Sequence, residues 1–405
     1  MTPVRPGAAA ALAAAALAGC GGGHGHQRFP VFLQDDAELL HRSPTRVAAD
    51  LDAIRDDGFT WVRVTAGWSA IAPSPRSARA PRFHASDARA YPRAAWTALD
   101  RVVRGAHARG LRVMIDVAFW APRWAVARSG PDATHARDGV DPGRYAAFAR
   151  AVARRYPGAD GFTIWNEPNS ELFLEPQWAR TGQIASATEY RAMVDAAVPA
   201  IRTEAPRALV LIGATSSLGD EHGTQRDGRV APLRFLRALA CVDARLRPLR
   251  TPDCRRFRPL PGDGWSQHPY SPGPPAQPDP VPDDVGLADL PRLVDTLRAL
   301  HAAGRTERRL DVWITEYGYQ TNPPDPTRAT SPAQQAAFLP QALALARATP
   351  GVASFAQFLL RDLPPRPGPT ARDRWADFQS GLRTVDGRPK PAERRLRRAL
   401  RGLDE

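Results

Sequence analysis

Residues 29–66 read FPVFLQDDAELLHRSPTRVAADLDAIRDDGFTWVRVTA, which is an apolar run, a segment of helical period and a second apolar run. This order is typical of a parallel sheet whose strands are joined by crossover helices, and it continues along the chain. The apolar runs number eight, at 29–33, 61–66, 112–119, 161–165, 209–215, 264–268, 311–315 and 352–358. Helical patterns follow at about 46–57, 94–109, 143–156, 188–205, 232–241, 289–301, 331–348 and 392–401.

Eight strand–helix units predict a closed (β/α)8 TIM barrel of the α/β class, because that number closes without leaving a sheet edge exposed. We expect a single domain over residues 29–405, with long rim loops at 70–92, 216–231 and 271–283. An open doubly wound sheet is the alternative, but no G-x-G-x-x-G motif opens the first unit. A phosphate-binding barrel is disfavoured too, since no glycine-rich loop follows the eighth run.

The charged residues of the sequence argue against two classes of function, nucleic-acid binding and Schiff-base catalysis. The 405 residues carry a net charge of +13, but the cations are arginines scattered along the whole chain, so we expect no nucleic-acid partner. The exception is 394–401, whose five arginines form either a solvated helix face or a contact for an anionic envelope surface. Lys390 is the only lysine and lies between two prolines, which argues against Schiff-base chemistry.

The N-terminus has the pattern of an export signal. Arg5 precedes an Ala/Leu run at 8–18 that is too short to span a bilayer, and the run ends in Leu-Ala-Gly-Cys20, which resembles the lipobox of bacterial lipoproteins. We therefore predict a signal peptide at 1–19, a lipid on Cys20 and a flexible tether at 20–28. An ordinary secretory signal is the alternative. In either case the protein is extracytoplasmic, and membrane contact would be made through the N-terminal lipid.

Two cysteines remain, Cys241 and Cys254, in a chain expected to be exported to an oxidising compartment. We predict a disulfide between them that closes a loop. Two unpaired thiols are the alternative.

Two glutamates follow strands on opposite sides of the predicted barrel. The fourth strand ends in WNEPN at 165–169 and the seventh in WITEYG at 313–318. Active sites of such barrels form at the C-terminal ends of the strands. Glu167 and Glu316 are therefore expected to face each other across a bound sugar, one protonating the leaving oxygen and the other attacking the anomeric carbon. Either residue alone would also fit an exposed turn.

With these motifs the sequence resembles glycoside hydrolase clan A, the (β/α)8 retaining glycosidases, and in particular the cellulase-like family five and family thirty-nine. The resemblance extends from Phe29 to the end of the chain. It implies that Glu167 is the general acid/base, that Asn166 holds the sugar 2-hydroxyl and that Glu316 is the nucleophile.

The resemblance also assigns roles to three further residues. Tyr270 would hydrogen-bond the nucleophile, and His268 would shape the sugar site. Arg63 on the second strand would keep Glu316 ionised. The alternatives are a structural His and Tyr at a strand end and a structural ion pair.

Aromatic side chains near the mouth could stack on pyranose rings or pack in the core; these are Trp68, Trp120, Trp124 and Trp178. Of these, Trp120 is the one we assign to substrate binding. Asp35 and Asp36 either bond a terminal sugar or lie on the surface. The sequence departs from family five in having Phe119-Trp120 where a histidine is common, and Gln357-Phe358 where an aromatic platform, usually Trp, is expected.

These patterns predict a monomeric retaining glycoside hydrolase acting on O-glycosidic bonds of a poly- or oligosaccharide. It would need no metal or organic cofactor, and its two carboxyl groups would lie about 5–5.5 Å apart. The principal alternative is a non-catalytic carbohydrate-binding surface lipoprotein on the same barrel. A transglycosylase would differ only in its acceptor.

Overall fold

The computed structural model describes residues 29–128, 135–220, 228–327 and 330–403. The predicted signal peptide, Cys20 and the predicted tether lie outside the described residues, as does part of the rim loop at 216–231. Among the described helices none is long and apolar enough to cross a bilayer.

Eight parallel strands form one sheet in the order β10-β1-β2-β3-β6-β7-β8-β9. The strands of the described residues are β1 (Val31–Gln34), β2 (Trp61–Gly67), β3 (Arg112–Ala118), β4 (Val126–Arg128), β5 (Asp138–Val140), β6 (Gly161–Ile164), β7 (Leu209–Thr215), β8 (Gly264–Gln267), β9 (Asp311–Ile314) and β10 (Phe355–Phe358). A parallel bridge between Val312 and Val352 joins β9 to the segment before β10 and nearly closes the ring. The predicted (β/α)8 barrel is thereby confirmed.

The helices are α1 (Asp36–Leu40), α2 (Pro44–Asp56), α3 (Trp68–Ile71), α4 (Thr97–His107), α5 (Pro142–Arg155), α6 (Ala185–Glu204), α7 (Pro232–Leu239), α8 (Leu290–Ala302), α9 (Pro332–Ala348), α10 (Ala371–Arg374) and α11 (Pro391–Arg401). The eight predicted helical segments correspond to α2, α4 to α9 and α11, with ends displaced by at most three residues. The short helices α1, α3 and α10 and the β4–β5 hairpin were not predicted.

Capping side chains set the helix starts that the sequence indicated. Ser43 accepts a hydrogen bond from the Arg46 amide at 3.3 Å, and Pro44 occupies the first turn of α2. Ser331 and Gln334 form a capping box at the start of α9. These bonds satisfy amides that have no partner within the helix, so each helix begins at a defined residue.

Aromatic side chains fill the lower part of the barrel. Trp61 on β2 and Trp313 on β9 lie on strands that are not neighbours, yet their ring centroids are 6.2 Å apart, which places both rings inside the barrel. Gly264 makes room for this layer, because a Cβ there would lie 2.6 Å from the Trp313 ring. Arg63 is two residues beyond Trp61 and points inward as well, one layer nearer the catalytic end.

Cys241 and Cys254 are disulfide-bonded, with their Cα atoms 5.6 Å apart. The bond closes a loop between α7 and β8, outside the barrel strands, as the sequence predicted.

The only lysine is buried. Lys390 is 6% exposed, and its ammonium group donates to Asp362 Oδ1 at 2.7 Å, Thr321 Oγ1 at 2.8 Å and the Gln379 carbonyl at 3.0 Å. This one side chain therefore ties the start of α11 to the loops that follow β9 and β10.

Lys390→Met is expected to lower the free energy of unfolding by about 3–5 kcal/mol, because it leaves the Asp362 carboxylate buried without its charge partner. Arg388→Met is the matched control: its side chain is 79% exposed, so a change within about 0.5 kcal/mol is expected. Urea unfolding followed by circular dichroism measures both variants. Equal midpoints for the two would contradict a structural role for the lysine.

Candidate active site

The chain turns sharply where β6 ends. Trp165 and Glu167 adopt φ angles of +62° and +39°, in the left-handed region that non-glycine residues rarely occupy. The Glu167 amide donates to the carbonyl of Ala214 at 2.9 Å, and Ala214 itself has a φ of +47°. Such conformations persist only where surrounding contacts enforce them, and they concentrate at functional sites. This turn brings the Glu167 side chain to the barrel mouth.

Glu316 follows β9 and is 8% exposed. Arg63 Nη1 donates to its Oε1 at 2.6 Å, and the Tyr270 hydroxyl donates to its Oε2 at 3.1 Å. The structure therefore places Arg63 and Tyr270 against Glu316, next to which the family resemblance put them.

Arg63 is fully buried and connects several elements. Its Nη2 lies 3.1 Å from Asp116 Oδ2 and donates to Asn166 Oδ1 at 3.3 Å, and its Nη1 also donates to Gln34. Burial raises the pKa of Asp116 to about 6, although the charge of Arg63 opposes this rise. Sequence reasoning missed Asp116; the signal was a carboxylate in the middle of the apolar β3.

The side-chain amide of Asn166 uses its oxygen to bind Arg63 and leaves its nitrogen free. Its Oδ1 accepts from Arg63, whereas its Nδ2 donates to no described residue. A hydrogen-bond donor adjacent to Glu167 is thus open to a ligand.

His268 joins the two glutamates. Its Nδ1 lies 3.0 Å from Glu167 Oε1 and 3.6 Å from Glu316 Oε2, and the ring is fully buried. Its Nε2 has no hydrogen-bond partner among the described residues, whereas its Nδ1 faces both carboxylates, so Nδ1 carries a proton. In that form His268 donates to Glu167 and fixes the orientation of its carboxylate.

Glu316 is held in its charged form. Burial alone would raise its pKa, but His268, Arg63 and the Tyr270 hydroxyl together hold the pKa of Glu316 below its ordinary value. Burial and the nearby carboxylates raise the pKa of Tyr270 well above its usual range, so Tyr270 stays neutral and donates. A charged carboxylate surrounded by donors can attack an electrophilic carbon.

The predicted aromatic residues divide into two groups. Trp68, Trp124 and Trp178 are 0%, 6% and 3% exposed, and the Trp68 ring stacks on Phe148 at 5.6 Å. They pack in the core, so the interpretation that they stack on sugars is wrong for these three.

Trp120 is only partly buried. Its Nε1 donates to the Leu172 carbonyl at 2.8 Å, and its ring stacks on Phe173 with centroids 6.0 Å apart. Leu172 is 50% exposed. An apolar surface of Trp120, Leu172 and Phe173 therefore links the end of β3 with the loop that carries Glu167.

Asp35 and Asp36 have structural roles, because both accept hydrogen bonds from backbone amides. Asp35 is fully buried and caps α1, accepting from the Glu38, Leu360 and Arg361 amides. Asp36 accepts from the Thr65 amide at 3.1 Å. Asp35 is thus neither a surface residue nor free to bind a sugar, because its oxygens are occupied by the backbone.

Phe358 stands where the aromatic platform was expected. Its ring centroid lies 6.5 Å from that of Tyr270 and 5.0 Å from that of Phe378, edge-on to both, and Phe378 is 41% exposed. Gln357 is buried and donates to the Leu359 and Ser380 carbonyls. An apolar wall of Phe358 and Phe378 therefore borders the Glu316 side of the mouth.

Within the described residues, one group of side chains has the composition of a metal site, namely Glu167, His268 and Glu316. One potential ligand atom from each lies within 4.8 Å of the others. His268 Nδ1 contacts both carboxylates, and Glu316 also accepts from Arg63 and Tyr270, so hydrogen bonds account for the proximity of these atoms. That no metal is required stays a prediction.

Known proteins were compared with this chain in sequence and structure. Residues 37–338 match the model of cellulase, glycosyl hydrolase family 5. No curated protein matches the chain. A family 39 glycoside hydrolase from the gut symbiont Bacteroides cellulosilyticus WH2 superposes with a TM-score of 0.58 at 17% identity, over 92% of this chain and 63% of that one.

Two further structures have the same fold. The exo-beta-1,4-mannosidase Op5Man5 from Opitutaceae bacterium strain TAV5 gives a TM-score of 0.54 at 18% identity, over 92% of this chain and 59% of that one. A GH5_18 protein from Streptomyces cattleya in complex with GlcNAc gives a TM-score of 0.56 at 18% identity, over 93% of this chain and 81% of that one. This chain thus spans about three fifths of the length of the first two structures. Because the family model covers most of the barrel, the chain belongs to glycosyl hydrolase family 5, within the clan of (β/α)8 glycosidases.

Proposed function

We propose that this protein is a retaining glycoside hydrolase in which Glu316 is the nucleophile and Glu167 the general acid/base. The observation that carries the proposal is the proximity of the two carboxylates, which have oxygens within 4.8 Å of each other. Retaining enzymes hold the groups about 5–5.5 Å apart, whereas inverting enzymes need about 6.5–9.5 Å to admit a water molecule between carboxylate and sugar.

The different surroundings of the two groups support the assignment of roles. Glu316 accepts from Arg63 and Tyr270 and stays charged, as a nucleophile must. Among the described residues, only His268 contacts the Glu167 carboxylate, and Glu167 is the more exposed of the two, so it can meet the leaving oxygen and later the incoming water. In the second step Glu167 takes a proton from that water, which releases the sugar from Glu316 with its configuration retained.

The substrate class we propose is a β-linked glycoside. Two of the matching structures are described as an exo-beta-1,4-mannosidase and as a GH5_18 protein bound to Manb1-4GlcNAc. In this chain the free Nδ2 of Asn166 offers a donor for a sugar hydroxyl, and Phe358 and Trp120 offer apolar faces.

The test is incubation with aryl β-mannosides, β-glucosides and β-N-acetylglucosaminides, with the anomeric proton of the first product followed by NMR. Release of the β-anomer before mutarotation supports retention. Release of the α-anomer contradicts it, and saturable sugar binding without turnover would favour the non-catalytic module.

Tyr270→Phe is expected to lower kcat/KM about tenfold or more, since it removes a hydrogen bond to a charged group. Because the hydroxyl helps to lower the pKa of Glu316, the acid limb of the pH profile should also move to higher pH. In the parent that limb should lie below about 4.3, the ordinary pKa of a glutamate.

Tyr319→Phe is the control, because the Tyr319 hydroxyl bonds Tyr317 and the Gly273 carbonyl and touches neither glutamate. Its acid limb should coincide with that of the parent. A limb that stays in place in Tyr270→Phe would show that Glu316 does not depend on this donor.

We also propose that the protein is exported and anchored by a lipid on Cys20. The support is the Leu-Ala-Gly-Cys motif after a short apolar run. In a bacterial host, the parent should enter the detergent phase on Triton X-114 partitioning and Cys20→Ser should not. Equal partitioning of the two would contradict lipidation at this cysteine.

A further inference from the structure

Besides Arg401, which donates to the Asp56 carbonyl, helices α9 and α11 carry four exposed arginines, Arg347, Arg394, Arg395 and Arg398. The two helices pack against each other along the barrel wall. None of the four guanidinium groups lies within ion-pair distance of a carboxylate of the described residues. We call this area the α9–α11 surface.

Carboxylates near this surface are occupied. α9 contains no acidic residue, and the single one in α11, Glu393, is 3% exposed and bound by Arg383 at 2.8 Å. Asp57, at the end of α2, is bound by Arg397 at 2.6 Å. Residues 404–405 lie outside the described chain. The positive charge of the surface is therefore not neutralised by the described residues around it.

An apolar groove runs between the ends of the same two helices. It is lined by Pro340, Leu343, Ala344, Ala399 and Leu403, with Arg347 at its rim. A polyanion in water would use the arginines and leave the groove uncovered. A bilayer interface offers both partners, phosphates for the arginines and acyl chains for the groove.

The chain enters the barrel next to this surface. Strand β1 pairs with β10, the strand between α9 and α11, and the Pro30 carbonyl accepts from the Phe355 amide at 3.0 Å. Eight residues lie between Cys20 and Phe29, so an extended connection reaches about 30 Å at most. A membrane attachment at Cys20 would keep this side of the barrel close to the bilayer.

From these observations we propose that the α9–α11 surface docks on an anionic phospholipid bilayer. Helices α9 and α11 run opposite to the strands, so their C-terminal ends lie at the end of the barrel away from Glu167 and Glu316. Docking there leaves the catalytic mouth open to the outside. The proposal depends neither on the glycosidase activity nor on the lipid itself.

The experiment measures sedimentation of the full chain with vesicles, in a Cys20→Ser background so that no lipid can attach. The vesicles are phosphatidylglycerol mixed with phosphatidylcholine, or phosphatidylcholine alone. The test variant is Arg394→Glu/Arg395→Glu/Arg398→Glu. The matched control is Arg76→Glu/Arg79→Glu/Arg93→Glu, which changes the net charge equally at exposed, unpaired arginines of the loop before α4.

Each arginine near an anionic membrane contributes about fivefold to partitioning, so the test variant should bind phosphatidylglycerol vesicles at least about a hundredfold more weakly than the parent. The control variant should bind like the parent, and added salt should weaken the binding of both. Thermal unfolding midpoints verify that the variants are folded.

Three results would overturn the proposal. In the first, the test and control variants bind vesicles equally. In the second, the parent binds phosphatidylcholine vesicles as tightly as those with phosphatidylglycerol. In the third, the parent binds neither kind of vesicle but sediments with an insoluble anionic cell-wall polymer. In the last case the surface recognises a polymer and not a bilayer.

Discussion

Replacing Glu316 by alanine should lower kcat on an aryl glycoside by about six orders of magnitude, the size of effect seen when an enzyme loses its nucleophile. The reason is geometric as well as chemical. Glu316 accepts hydrogen bonds from both Arg63 and Tyr270, and no second described carboxylate at the mouth has these two donors. Added azide should restore turnover and give a glycosyl azide of inverted configuration, because a small anion can occupy the space left by the side chain.

The variant should remain folded, since Arg63 keeps its partner Asp116 at 3.1 Å when Glu316 is removed. Glu307→Ala serves as the control; that glutamate lies between α8 and β9, at the opposite end of the barrel, and pairs with Arg202 at 3.6 Å. A folded Glu316→Ala protein with a loss of tenfold or less would exclude Glu316 as the nucleophile.

Glu167→Ala should show a loss that depends on the leaving group. With a poor leaving group, which needs a proton, kcat/KM should fall by about 10²–10⁴-fold. With 2,4-dinitrophenolate, which departs without protonation, the first step should be nearly unchanged. The glycosyl-enzyme should then accumulate as a burst, because no base activates the water.

The control for this variant is Glu175→Ala, in the same loop, where the side chain pairs with Arg137 at 3.1 Å. It should behave like the parent with every leaving group. If Glu167→Ala slowed all aryl glycosides by the same factor, Glu167 would be a binding residue and not the acid/base. The two glutamate variants thus separate the roles that the geometry assigns.

The sequence was most informative where local pattern and tertiary structure agree. The eight strands were found because strands buried on both faces form apolar runs, such as the one at 209–215. Their ends were less well predicted: β10 begins at Phe355, although the run starts at Val352, because Val352 contributes only a single bridge to Val312. The β4–β5 hairpin was missed because its strands have three residues each.

At the site, the rule of strand ends indicated the two glutamates, and the family resemblance indicated three residues around them. Glu167 and Glu316 follow from this rule, His268, Tyr270 and Arg63 from the resemblance, and the structure brings the five side chains together. Asp116 was missed because its role depends on Arg63, a contact between strands that no local pattern encodes. Whether Trp178 packs in the core or faces a ligand is likewise decided by tertiary contacts, such as that of its Nε1 with the Gly228 carbonyl.

The buried Lys390 has a practical consequence for chemical labelling. The folded protein offers amine-reactive reagents no accessible ε-amino group, because its single lysine is enclosed by Asp362, Thr321 and Gln379. Acylation of that one site therefore reports the opening of the region that joins α11 to the loops after β9 and β10. A mass increase of one acyl group on the peptide that contains Lys390, followed over time, would measure how often this part of the barrel opens under native conditions.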